Sequence, residues 1–91
     1  QPLPQELPEN LKHLEFGYHF NQSVDNLPKN LEICKFGFLF NQNIDKLPDS
    51  IQQLELSNTY NEPINHLPRS LLYLNLGKFY NKKINELFRI L

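Results

Sequence analysis

The sequence predicts a mainly β solenoid: a parallel sheet of about four short strands, one per 20-residue repeat, with extended, turn or short 3₁₀ structure on the convex side. Three observations predict it. Leu7, Leu27, Leu47, Leu67 and Leu87 recur at a constant spacing of 20, and Pro8, Pro28, Pro48 and Pro68 follow them. An aromatic–Asn pair recurs in the same register as Phe20-Asn21, Phe40-Asn41, Tyr60-Asn61 and Tyr80-Asn81. Between these markers each repeat carries an apolar run, Leu11-x-x-Leu14-x-Phe16 in the first. Its end alternates apolar and polar, as a short strand with one buried face does.

The elements follow in order along the unit. Pro at the start of each return segment fixes its own φ and turns the preceding Leu away from helix, so a full α-helix has little room there. The next columns are Leu11, Leu31, Ile51 and Leu71, then Leu14, Cys34, Leu54 and Leu74, then Phe16, Phe36, Leu56 and Leu76. They place strands near 12–16, 32–36, 52–56 and 72–76, stacked in parallel with their buried side chains in continuous ladders. Gly17, Gly37, Ser57 or Gly77 follows each strand, where a small residue suits a sharp turn. The aromatic column fills the wide part of the core as a stacked spine. The Asn column fits a turn whose buried backbone groups must be satisfied, because an amide can both donate to and accept from the neighbouring coil. Val24, Ile44, Ile64 and Ile84 close the unit.

Residues 1–91 then form a single repeat domain: a partial unit 1–6, repeats 7–26, 27–46, 47–66 and 67–86, and a partial unit 87–91. One unit cannot bury its apolar face alone, so stability comes from neighbour-to-neighbour packing. The absence of Met and the opening Gln1-Pro2-Leu3-Pro4 read as an excised or processed piece of a longer protein.

Composition narrows the function. The net charge is -1 with no basic run, so nothing draws the chain to nucleic acid or an anionic membrane. No apolar stretch has the length of a membrane helix. The single Cys34 has no internal disulfide partner, which points to a reducing, cytoplasmic compartment. In the Leu14 column it reads as a small buried hydrophobe. His13, His19 and His66 occupy three different repeat positions and read as surface residues rather than metal ligands. Asn21-Gln22-Ser23 matches a glycosylation sequon, but Asn21 belongs to the repeating Asn column. There is no phosphate loop, nucleophile elbow or paired-carboxylate signature. The expectation is a non-catalytic chain with no cofactor, metal or small-molecule substrate.

Where repeats differ, function can reside. Side chains pointing away from the core form one column of His13, Ile33, Gln53 and Tyr73 and a second of Glu15, Lys35, Glu55 and Asn75. The loop after each strand adds Tyr18, Phe38, Asn58 and Lys78. Glu15-Lys35-Glu55 can be read as a cross-strand charge ladder. Ile33, Tyr73, Tyr18 and Phe38 point instead to a protein-contact patch, with plain loop covering as the competing role for Tyr18 and Phe38. The partner-binding set expected on the concave sheet face is His13, Glu15, Tyr18, Ile33, Lys35, Phe38, Gln53, Glu55, Tyr73 and Asn75. A purely structural spacer is the other reading.

These columns resemble the FNIP repeat, a leucine-rich-repeat variant named for a Phe-Asn-Ile-Pro signature. The units read Phe20-Asn21-Gln22-Ser23-Val24, Phe40-Asn41-Gln42-Asn43-Ile44, Tyr60-Asn61-Glu62-Pro63-Ile64 and Tyr80-Asn81-Lys82-Lys83-Ile84. Each follows Leu-Pro-x-x-Leu/Ile-x-x-Leu/Cys-x-Phe/Leu-Gly/Ser, and the likeness covers residues 7 to 87. Two units depart from the signature with Tyr for Phe. The resemblance implies a leucine-rich-repeat-type fold and a cytosolic recognition surface. Some members stand behind an F-box, which makes the substrate-recognition arm of a ubiquitin-ligase receptor the alternative function; these residues contain no F-box.

Overall fold

The structure, a computed structural model, describes residues 7–78 and Tyr80. The partial units 1–6 and 87–91 lie outside the described residues. Each of the four repeats contributes one strand: β1 (His13–Glu15), β2 (Ile33–Lys35), β3 (Gln53–Glu55) and β4 (Tyr73–Asn75). They form one parallel sheet in the order β1-β2-β3-β4. The register advances by one repeat at every junction: Leu14 pairs with Cys34, Cys34 with Leu54, and Leu54 with Leu74.

The strands are short, but the ladder extends to the flanking residues predicted as strand. The Lys12 carbonyl accepts from both Glu32 N–H (2.8 Å) and Ile33 N–H (2.9 Å), and Phe16 N–H donates to the Lys35 carbonyl at 2.9 Å. The same bonds recur at the next two junctions.

The return segments are turns and extended backbone; no helix of any kind occurs among the described residues. Pro opens a tight turn in every unit. Leu11, Leu31, Ile51 and Leu71 N–H donate to the carbonyls of Pro8, Pro28, Pro48 and Pro68 at 3.2–3.4 Å. A second turn joins Phe20, Phe40 and Tyr60 N–H to Gly17, Gly37 and Ser57 carbonyls at 3.2–3.3 Å. These three-residue spans return the chain within one unit, which a helix would overshoot.

The core is the set of predicted columns. Leu31, Cys34, Ile51, Leu54, Ile64 and Leu67 are fully buried. The aromatic spine is continuous: ring centroids lie 6.1 Å apart for Phe20–Phe40, 6.0 Å for Phe40–Tyr60 and 6.1 Å for Tyr60–Tyr80, all stacked. Phe16 and Phe36 add a second stacked row, with Phe36 at 3.9 Å from Phe40. The two Tyr that replace Phe are held by their hydroxyls. Tyr60 donates to the Gln42 carbonyl and Tyr80 to the Glu62 carbonyl, each at 2.9 Å and each one unit back. Burial raises both phenol pKa values above the ordinary value, with the neighbouring carboxylates adding to it; at Tyr80 a backbone hydrogen bond with Ile64 acts against the rise.

The Asn column links coils, with one correction. The Asn21 Oδ1 accepts from Asn41 N–H and the Asn41 Oδ1 from Asn61 N–H, both at 2.8 Å. Asn41 Nδ2 donates to Glu62 Oε2 at 3.1 Å. These bonds run along the surface rather than through buried backbone, because Asn21 and Asn61 are exposed and Asn41 is half-buried. The ring before each Asn enters the core, and alternation sends the amide outward.

Candidate interaction surface

Because Leu14, Cys34, Leu54 and Leu74 point into the core, their neighbours on the strand point out. Pairing then lines these neighbours up. His13, Ile33, Gln53 and Tyr73 form one row, and Glu15, Lys35, Glu55 and Asn75 the next. The rows are not equally open. Tyr73 is 53% exposed, whereas Ile33, Lys35 and Glu55 are half-buried in the interior strands.

The third row is fastened by its own contacts. Tyr18 and Phe38 stack at 5.1 Å with their planes 10° apart, although they are 57% and 42% exposed. Leu39 N–H donates to the Tyr18 carbonyl at 3.0 Å, and His19 packs edge-on against Tyr18 at 4.9 Å. Ser57 Oγ donates to the Phe38 carbonyl at 3.1 Å, and Thr59 Oγ1 bonds the same carbonyl. Lys78 N–H donates to Asn58 Oδ1 at 2.6 Å. The aromatic pair therefore sits on backbone pinned from both sides.

The charges arrange themselves otherwise than as a ladder. Glu15, Lys35 and Glu55 are in Cα register, but neither glutamate is ion-paired with Lys35. Glu15 Oε2 instead bonds His13 Nε2 at 2.8 Å on its own strand. The cross-strand pair is Lys12–Glu32, at 3.4 Å. Facing residues on a parallel pair are set by the backbone, while long side chains choose the nearest partner.

Two exposed apolar residues escaped the sequence reading, Leu72 at 80% and Leu39 at 41% exposure. Leu72 lies beside Tyr73, in the column of Lys12, Glu32 and Gln52. An apolar residue in an otherwise polar column was the signal that could have found it.

Elsewhere the chemistry is structural. Cys34 is completely buried, and burial pushes its thiol pKa up to about 12. His66 Nε2 lies 3.5 Å from Asp49 Oδ1, and Arg69 Nε lies 3.8 Å from the other carboxylate oxygen. Ser50 Oγ donates to the Leu31 carbonyl at 2.6 Å, giving the Ser before the Ile51 column its structural reason. The sequon Asn21 has its Oδ1 engaged by Asn41 N–H and by Gln42 Nε2. Among the described residues, no three His, Cys, Asp or Glu side chains come together as a metal site, and no helix is long and apolar enough to cross a membrane.

The FNIP Repeat family matches the chain over three overlapping segments, residues 1–38, 23–59 and 40–79. No curated protein and no solved structure matches it. The matched segments together run through residue 79 of 91 and overlap as successive repeats do, in step with one strand per repeat and the Phe/Tyr-Asn column, so the chain belongs to the FNIP repeat family.

Proposed function

We propose that this chain is a protein-interaction module that acts without catalysis, a leucine-rich-repeat-type solenoid reading a protein partner with the concave outer face of its sheet and the adjoining loop edge. The observation that carries this is the stacked Tyr18–Phe38 pair, held on pinned backbone yet open to solvent. Apolar side chains at core-forming columns lower the free energy by burial, but these two remain in water. With Leu39, and with Leu72 and Tyr73 at the far strand, they give the face its exposed aromatic and apolar anchors. The half-buried Ile33 and Lys35 and the polar Gln53, Glu55 and Asn75 lie between them. Such a mix of aromatic anchors and polar surroundings is how protein interfaces are built. The buried free Cys34 accords with a reducing, cytoplasmic setting.

The test compares three forms of the chain by affinity capture from source cells: wild type, Ile33→Asp with Tyr73→Asp, and Tyr18→Ser with Phe38→Ser. A protein recovered by wild type and lost by both variants, with their circular dichroism unchanged, is the expected outcome. Equal recovery by all three would remove this face from consideration and leave the structural spacer.

A further inference from the structure

We infer that the two interior repeats, 27–46 and 47–66, seat an amphipathic α-helix of the partner protein across their outer face, against Phe38, Leu39, Lys35 and Glu55. This deepens the proposed function and rests on it. Each of these repeats has a described repeat on both sides, so its side chains are exposed with their coil neighbours in place. Phe38 is 42% and Leu39 41% exposed there. The fold does not require them. The next repeat has Asn58 and Thr59 at the same two places, both exposed, and closes the same turn: Tyr60 N–H donates to the Ser57 carbonyl at 3.2 Å, Phe40 N–H to the Gly37 carbonyl at 3.3 Å. Two adjacent apolar side chains left in water where polar ones serve equally mark a point of contact.

The charges beside them say what the occupant carries. Lys35 and Glu55 are half-buried and paired in register on β2 and β3, yet neither forms an ion pair with the other or with any other described residue. Elsewhere on the face the charges are taken: Lys12 lies 3.4 Å from Glu32, and Glu15 bonds His13 at 2.8 Å. A partner that meets Lys35 with a carboxylate and Glu55 with a cation therefore breaks no ion pair of this chain to do so. Covering the two charges without such groups would cost free energy, so the occupant must carry both signs.

Spacing selects the form of that segment. Lys35 and Glu55 stand on neighbouring strands, about 4.8 Å apart across the sheet. Residues three or four apart on a helix have Cβ atoms about 5–6 Å apart, whereas alternate residues of an extended chain, which share a face, are about 6.7 Å apart. A helix lying across the strands thus sets an acid over Lys35 and a base over Glu55, one turn apart. Its apolar stripe lies on Phe38 and Leu39, as amphipathic helices dock elsewhere. The acid and base of a free, solvated helix attract each other only weakly, so little is lost in the exchange.

Selection from a displayed library of randomised amphipathic helices, with the whole chain immobilised, tests it. Enriched helices should carry an acid and a base three or four residues apart along the edge of their apolar stripe. Lys35→Glu with Glu55→Lys should weaken their binding by about tenfold. Exchanging acid and base in the helix as well should restore it, which a misfolded variant could not do. Phe38→Asn with Leu39→Thr installs the residues that the next repeat already accommodates, so circular dichroism should be unchanged while binding is lost. Failure of any helix to enrich would overturn the proposal. So would enrichment without the charge pair, or undiminished binding to either variant. The proposed function is judged separately by affinity capture: a protein recovered there while no helix enriches leaves it standing and removes only this occupant.

Discussion

Gly37 is required by its neighbour rather than by its own φ. A Cβ at this position would lie 2.3 Å from the Gly17 carbonyl oxygen, whereas one at Gly17 would meet nothing within 4 Å. Only Gly77 combines such a clash, with the Ser57 carbonyl, and a positive φ of 84°. The sharp turn expected after each strand is thus tight because coils stack, and its Gly77 copy alone needs left-handed backbone. Gly37→Ala should lose about 1–3 kcal/mol to overpacking in urea titration. Gly17→Ala should stay within about 0.5 kcal/mol.

Asp45 is a residue whose charge state bears on the fold. Burial raises its pKa, but hydrogen bonds from Asn65 N–H (2.9 Å), the Asn43 amide, His66 N–H (3.0 Å) and the Asn65 amide outweigh that and hold it below the ordinary value. A lowered folded-state pKa means that its stabilisation is fully present above the unfolded carboxylate value. It is lost as pH falls through the folded one. Denaturant midpoints measured from neutral to acid pH should fall less steeply for Asp45→Asn than for wild type.

At the scale of the element, two kinds of fastener join units beyond strand pairing, and the junction between the second and third repeats carries both. One is the Asn column, whose Asn41 caps Asn61 N–H ahead and donates to Glu62. Asn41→Ala should lower stability by about 0.5–1.5 kcal/mol, the ordinary net value of such a bond. Asn41→Asp keeps the acceptor but sets a carboxylate against Glu62, so its deficit should grow from acid to neutral pH. The other fastener is the Tyr hydroxyl. Tyr60→Phe leaves the ring stack intact and frees the Gln42 carbonyl. Its loss should again be about 0.5–1.5 kcal/mol in urea titration, and full stability in the variant would show that water replaces the bond.

At the scale of the whole molecule, every strand contacts only its sequence neighbours. Among the described residues, interior strands have partners on both sides and β1 has one. Amide hydrogen exchange should grade accordingly. Gln53 N–H, between two paired strands, should exchange among the slowest, and His13 N–H should exchange near the rate of unstructured peptide. Equal protection at the two sites would count against this neighbour-only arrangement. The family resemblance, the strand positions and the ring spine were all legible in the sequence, since Phe20, Phe40, Tyr60 and Tyr80 repeat at one spacing and stack at one spacing. The outward columns were legible from alternation after Leu14, Cys34, Leu54 and Leu74. The burial of Ile33, the openness of Leu39 and Leu72, and the preference of Glu15 for His13 over Lys35 were not.

By itself the sequence determined the repeat unit, its strand, its inward columns and the parallel stacking. Each coil meets only the coil before and after it, so column identity is sufficient information for that much. Only the tertiary structure decided how much water reaches each outward side chain, which charges touch, and why Gly37 has no Cβ. Those depend on distances between rows and on the approach of one coil's backbone to the next, and a linear spacing of 20 carries neither.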